Sequence, residues 1–189
     1  QGRKFSEPKV IISGGNGLDE VLSISKQSAL QIIQSFSELE GLYDYMIVDV
    51  SAGIDENVMT FLAGCDHKIV LGTEEPSSIA DAYALIKMLT KKEKISDLIY
   101  VPNKVRNLRN GQKLFNSMNQ IVQKFLGESL HFVGSINFSS DYNQAWSRGV
   151  PAVSMGQSAI IEQDYKELIN ELERLETSER PDRVSFFNN

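Results

Sequence analysis

Short apolar runs alternate along this chain with stretches in which apolar residues recur every three to four positions. The first pattern belongs to buried strands and the second to amphipathic helices, so their alternation predicts a mostly parallel α/β sheet. Residues 9–13 predict a first strand, which runs into the turn Ser13-Gly14-Gly15-Asn16-Gly17. Residues 26–40 predict a helix with Leu30, Ile33, Phe36 and Leu39 on one face. Residues 45–50 predict the central strand, 57–64 a short helix and 67–72 the next strand. A helix over 77–90, opened by Pro76 and Ser77, buries Ile79, Ala82, Leu85, Ile86 and Leu89. A strand over 98–102 and a helix over 111–126 follow, the helix with Leu114, Met118, Ile121, Val122 and Phe125 inward. A last strand over 131–136 precedes a helix over 160–175 that carries Ile161, Tyr165, Leu168, Leu172 and Leu175. Residues 1–7 are expected to be a linker or tag remnant, 8–176 one partial domain and 177–189 a flexible polar tail.

The strand over 45–50 carries the first candidate chemistry. It is apolar up to Asp49 and runs into Ser51-Ala52-Gly53. A continuous apolar run suits a parallel strand covered on both faces. An acid at its carboxyl end lies where open α/β sheets bind ligands, and in P-loop hydrolases such an acid holds Mg²⁺. An aspartate capping the next turn is the plainer reading. The small residues Ser51, Ala52 and Gly53 allow close backbone approach, and N–H groups at such a turn can face a phosphate. The matching phosphate loop, G-x-x-x-x-G-K-[ST], is absent from the 189 residues. The chain thus carries half of a nucleotide site.

Asn103-Lys104-Val105 follows the strand over 98–102. A carboxamide there offers a donor and an acceptor to a base edge. An ordinary strand-to-loop turn accounts for the triplet equally well. It is close to the N-K-x-D motif of GTPases, but Arg106 stands where the guanine-reading acid would be, which favours adenine. The Gly-rich turn at 13–17 lacks the Lys-Ser/Thr pair that reaches phosphates and reads as a strand terminator. His67, His131 and Cys65 show no metal-ligand spacing and read as structural.

Composition narrows the setting. With 41% hydrophobic and 23% charged residues, the chain reads as one globular domain. A net charge of −6 argues against general attraction to nucleic acid. Cys65 is the single cysteine, so no intrachain disulfide forms, which fits a reducing compartment such as the cytoplasm. No apolar run approaches the roughly 20 residues of a membrane span. The start at Gln1, without methionine or an apolar leader, suggests a processed piece of a longer protein.

Three stretches carry a family resemblance. Ser13-Gly14-Gly15-Asn16-Gly17-Leu18 resembles a P-G-G-S-G-L segment. The residues 43–54, with Asp49 and Ala52-Gly53-Ile54, resemble a Y-D-Y-I-I-I-D-T-G-A-G-I strand and switch. The residues 75–87, from Glu75-Pro76-Ser77 to Leu85-Ile86-Lys87, resemble P-E-P-T-S-I-T-D-A-Y-A-L-I-K. Over residues 8–175 the chain resembles the MinD/ParA superfamily of deviant Walker-A ATPases, and within it the FlhG-type flagellar-number regulators. The resemblance implies a three-layer P-loop-NTPase-like sheet, mostly parallel, with helices on both faces and truncated here at its N-terminus. It implies ATP or ADP with Mg²⁺ as ligands of the intact protein. By position, Asp49 would hold the Mg²⁺ water shell, Ser51, Ala52 and Gly53 would line the γ-phosphate side, and Asn103 with Lys104 would face the adenine.

The implied partners are a second copy in an ATP-dependent homodimer, an FlhF-type GTPase, and flagellar switch proteins or a transcriptional activator. The segment 75–87 would lie near the dimer or partner face. Peripheral contact with the inner membrane or a cell pole also follows from the resemblance, although Val184, Phe186 and Phe187 alone cannot anchor the tail stably. The chain departs from the family at the missing K-G-G-x-G-K-[ST] segment. It departs again at I-P-x-D, which here reads Ile136-Asn137-Phe138-Ser139-Ser140-Asp141. Two other readings stay open: a nucleotide-free adaptor on a degenerate ATPase fold, and a ParA-type partitioning ATPase, which the acidic balance disfavours.

Overall fold

The computed structural model describes residues 26–39, 42–43, 45–50, 56–91, 94–95, 98–156 and 159–175. The strand expected over 9–13, its glycine turn, Ser51, Ala52, Gly53 and the tail beyond 175 lie outside the described residues. Helix α1 spans Lys26–Ser35 and closes in a 3-10 turn, Phe36–Leu39. Helix α2 spans Glu56–Gly64 and strand β1 spans Lys68–Gly72. Helix α3 covers Pro76–Lys91 and strand β2 Leu98–Pro102. Helix α4 covers Leu108–Leu126, α5 Asp141–Arg148 and α6 Ala159–Arg174, with a 3-10 turn at Ala152–Met155 between the last two.

The fold is α/β with a parallel strand pair. β1 and β2 run side by side, Lys68 opposite Leu98 and Gly72 opposite Pro102. All five residues of β2 are buried, because its two faces meet different layers. Leu98 and Tyr100 join one cluster with Val70, with Ala82, Ile86 and Leu89 of α3, and with Leu114, Phe115, Met118 and Val122 of α4. Ile99 and Val101 join another with Val133 and Leu168, against which Tyr165 and Leu172 of α6 pack. Among the described residues, β1 is covered on one face only. Val70 is inside, while Ile69 and Leu71 remain 46% and 54% exposed. Helices therefore sandwich β2 as expected, and α6 stops short of β1.

Four expectations need correction. Residues 45–50 form no strand. Their burial alternates between exposed and half-buried, and Ile47 is 92% exposed. An apolar run supplies side chains for a core, but a strand also needs a neighbour for its N–H and C=O groups. Among the described residues no strand pairs with this segment.

The expected strand over 131–136 is only partly realised. His131 N–H donates to Leu98 O (2.9 Å) and Ile136 N–H to Pro102 O (2.9 Å), so the segment follows the outer edge of β2. Only two isolated parallel bridges form, Ile99 with His131 and Val105 with Asn137. Gly134, at φ +133, lies between them in a conformation open to glycine, and it interrupts the ladder.

In α4, Phe125 is 62% exposed and Ile121 also faces outward, whereas Phe115 and Leu126 are buried. Phe125 lies beneath the Lys124 ammonium, 5.3 Å from its ring centre. The helix begins three residues earlier than expected, because the Asn107 side chain accepts a hydrogen bond from Asn110 N–H (3.0 Å) and caps it there. Finally, α5 and the turn after it were not expected. α5 buries only Ala145, so it carries almost no apolar period to read.

Candidate functional site

The carboxyl ends of β1, β2 and the 131–137 segment meet at one edge of the sheet. Asn103 N–H donates to Gly72 O (2.7 Å) and ties the loop after β2 to the end of β1. Lys104 follows at φ +55, a left-handed conformation unusual for a residue other than glycine. The Asn103 carboxamide stabilises it by accepting from Lys104 N–H (2.8 Å). Val105 then turns back into the core and is fully buried, while Lys104 stays exposed. Val105 N–H donates to Ile136 O (3.1 Å) and Phe138 N–H to Val105 O (2.7 Å), which brings Asn137 beside this loop.

On the β1 side, Thr73 N–H donates to Ser78 Oγ (2.9 Å) and Glu75 N–H to Thr73 Oγ1 (3.3 Å). These bonds fix the entry to α3, where Pro76 starts the helix at a position that needs no N–H partner. Of the residues expected from sequence, the structure brings Asn103 and Lys104 to this edge. Asp49 is exposed at the end of the unpaired segment 45–50. That segment is tethered at its other end, where Tyr45 OH donates to Glu173 Oε1 of α6 (2.6 Å).

Asp164 was missed from sequence. It lies on the inner face of α6 between Ile161 and Leu168, and only 5% of its surface is exposed. Its carboxylate accepts two hydrogen bonds from Asn137: main-chain N–H to Oδ2 (2.7 Å) and Nδ2–H to Oδ1 (2.7 Å). Burial pushes its pKa up, and the two Asn137 bonds pull the other way without cancelling that cost. The readable signal was an acid interrupting the apolar stripe Ile161–Leu168 at an inward position. Asn137 Oδ1 is buried and has no hydrogen-bond partner among the described residues. Asn137 and Asp164 line a cavity of about 430 Å³ between α4 and α6, with Leu108 and Ile160 as apolar walls.

The cavity beside this edge combines the apolar Leu108 and Ile160 with the polar Gln163 and Glu167. The described residues contribute no convergent set of lysines for the phosphates, and no cluster of three metal-ligating side chains occurs among them.

The chain is similar to several known proteins. The chain is 28% identical to the antiactivator FleN of Pseudomonas aeruginosa over 135 residues, 71% of this chain and 48% of that protein. It is 29% identical to the flagellum site-determining protein YlxH of Helicobacter pylori over 138 residues, 71% of this chain and 46% of that one. It is 31% identical to the septum site-determining protein MinD of Bacillus subtilis over 123 residues, 64% of this chain and 44% of that one. Its relatives are thus FleN, YlxH and MinD, a set consistent with the MinD/ParA family.

The kinship with FleN and YlxH supports a flagellar-regulator-like ATPase family, and a P-loop NTPase fold fits the observed parallel α/β core. The chain spans about half the length of the curated relatives it matches. No family model matches it. None of the helices among the described residues is long and apolar enough to cross a membrane.

Proposed function

We propose that the chain acts as part of an FlhG-like ATPase that sets flagellar number and placement in a bacterium. In this reading the intact protein dimerises around Mg-ATP and exchanges partners on hydrolysis. Those partners are an FlhF-type GTPase and flagellar switch proteins or a transcriptional activator. The protein works in the cytoplasm and at the inner face of the membrane or cell pole. One observation carries the reading most: Asn103, Lys104 and Asn137 meet at one edge in a chain similar to FleN and YlxH.

The residues divide the work by position. Asn103, its loop pinned to Gly72 O, and Lys104 border the base. By the family resemblance, Ser51, Ala52 and Gly53 are assigned to the γ-phosphate side, where backbone N–H groups would stabilise charge. Asp49 would hold Mg²⁺, which would supply charge neutralisation when bound. Transfer of this kind is mostly positioning and electrostatics, so a chain without the phosphate-loop lysines is expected to be inactive alone.

Calorimetry with Mg-ATP tests the reading on the 189-residue chain and on the protein in its natural full length. Binding by the full-length protein alone, weakened by Asp49→Ala only when Mg²⁺ is present, supports it. Failure of both to bind sinks it. The nucleotide-free adaptor then takes its place.

A further inference from the structure

The charges of this chain are segregated. Residues 82–127 hold nine lysines and arginines and two acids, against ten and twenty-three in the rest of the sequence. Part of this excess gathers at one end of the sheet. α3 starts beside the carboxyl end of β1 and returns to the amino end, where β2 begins. α4 makes the same return, because His131 N–H, just beyond it, donates to Leu98 O (2.9 Å). Lys91 joins the two helix ends, its Nζ donating to Leu126 O (2.7 Å). Lys87, Lys94 and Lys124 are exposed about this contact, and the exposed Phe125 stands against the Lys124 ammonium.

Cations at helix ends offset the helix dipole, and Lys91 does so here. That role does not account for Lys94, which holds φ +57, where glycine or asparagine is the relaxed choice. Lysines grouped around an aromatic ring are what an anionic bilayer takes up, the charges at its headgroups and the ring at the acyl boundary. We propose that the ends of α3 and α4 form a docking surface for an anionic lipid bilayer, through Lys87, Lys94, Lys124 and Phe125. This rests on the peripheral membrane location in the reading above and gives that location a surface. The acids of α6 do not oppose it. α6 packs on Ile99 and Val101, whereas α3 and α4 pack on the other face of β2. The separation exceeds a helix diameter of about 10 Å and hence the screening length of about 8 Å at physiological salt.

Two features favour a bilayer over a protein segment. The lysines and Phe125 stand on convex helix ends, at the far end of α4 from the cavity beside Leu108. α6 also delivers the chain to this end of the sheet, since Leu172 and Leu175 pack beside Ile99, and Val184, Phe186 and Phe187 follow in the sequence. Stable attachment takes two signals, and a basic patch supplies the second to a weak apolar one.

The test is co-sedimentation of the full-length natural protein with phosphatidylcholine vesicles, with and without phosphatidylglycerol, at low and at raised salt. A cation near an anionic surface is worth roughly fivefold in partitioning, so Lys87→Gln, Lys94→Asn and Lys124→Gln together should weaken binding roughly a hundredfold. Asparagine suits the backbone at 94 and all three side chains are exposed, so the thermal midpoint should hold. Phe125→Ala should weaken binding severalfold and leave its salt dependence unchanged. The charge-matched triple Arg106→Gln, Arg109→Gln and Lys113→Gln lies nearer the other end of α4 and should change binding by less than about threefold. Equal losses in the two triples would show attraction to overall charge and overturn the inference. Binding to phosphatidylcholine alone that the lysine triple leaves untouched would overturn it too. So would a wild type that ignores the phosphatidylglycerol vesicles; capture of poly-glutamate, lost in the lysine triple, would then assign the surface to an acidic protein segment. Mg-ATP binding is measured without vesicles, so the nucleotide reading stands or fails separately.

Discussion

At Gly111, α4 packs directly against Ser135 of the segment that carries Asn137, and Gly111→Ala tests how firmly the two are pinned together. A Cβ built there would lie 2.5 Å from Ser135 Cβ, closer still to Ser135 Oγ, and 3.5 Å from Val105 Cγ2. Carbon atoms rest at about 3.5–4.0 Å, so a shift of about 1 Å is needed. Rotating Ser135 cannot supply it, because its Cβ is fixed by a backbone that is hydrogen-bonded to β2 through the neighbouring Ile136. Overpacking of this kind costs about 1–3 kcal/mol. Replacing glycine by alanine inside a helix returns about 1 kcal/mol. With main-chain-anchored atoms in the way, the net expectation is a loss of about 1–2 kcal/mol.

Urea unfolding followed by far-UV circular dichroism measures the loss. The double variant Gly111→Ala with Ser135→Gly removes both clashing atoms and should return most of it. The single variant should also disturb Asn137, two residues beyond Ser135, before it disturbs β1. A single variant as stable as wild type would refute the reasoning, since helix propensity would then outweigh a contact that only appears tight.

Three further outcomes follow from the same structure. Tyr100 is fully buried, and its hydroxyl has no partner among the described residues, so Tyr100→Phe should be neutral or stabilising by up to about 1 kcal/mol in urea unfolding; a loss beyond that would reveal a missing partner. Burial pushes the Cys65 thiol up to about 11, so at pH 8 a thiol reagent should label the native chain far more slowly than the urea-unfolded one, and equal rates would contradict the burial. Because burial raises the Asp164 pKa above its ordinary 3.8, the stability it contributes is full below that value and is lost as pH rises through the folded-state pKa. The stability difference between wild type and Asp164→Asn should therefore move in the variant's favour from pH 3.5 upward, and a difference moving the other way would show that the Asn137 bonds outweigh burial.

Residues 45–50 and β2 show what a sequence discloses and what it withholds. Both are apolar runs of similar length, and both were expected to be buried strands. β2 meets that expectation because β1 satisfies one of its edges, the 131–137 segment the other, and helices both of its faces. The 45–50 run has no such neighbour among the described residues, and apolar character alone cannot create one. The misplaced Phe125 has a related cause. Its spacing from Leu114, Met118 and Ile121 suggested burial, but the inner face of α4 is set by Phe115, Met118, Val122 and Leu126, spaced three and four apart.

The candidate site divides along the same line. Asn103 and Lys104 were legible because a short-range signal, the end of an apolar strand, put them at the edge. Asn137 and Asp164 lie 27 residues apart and become a unit only when α6 packs on the outer face of β2. What the sequence did contain was a conflict, an acid inside an apolar stripe. Conflicts of that kind between local pattern and burial concentrate where a fold serves something other than its own stability. An inward acid on a sheet-covering helix is therefore worth testing as a positioning group even where no motif surrounds it.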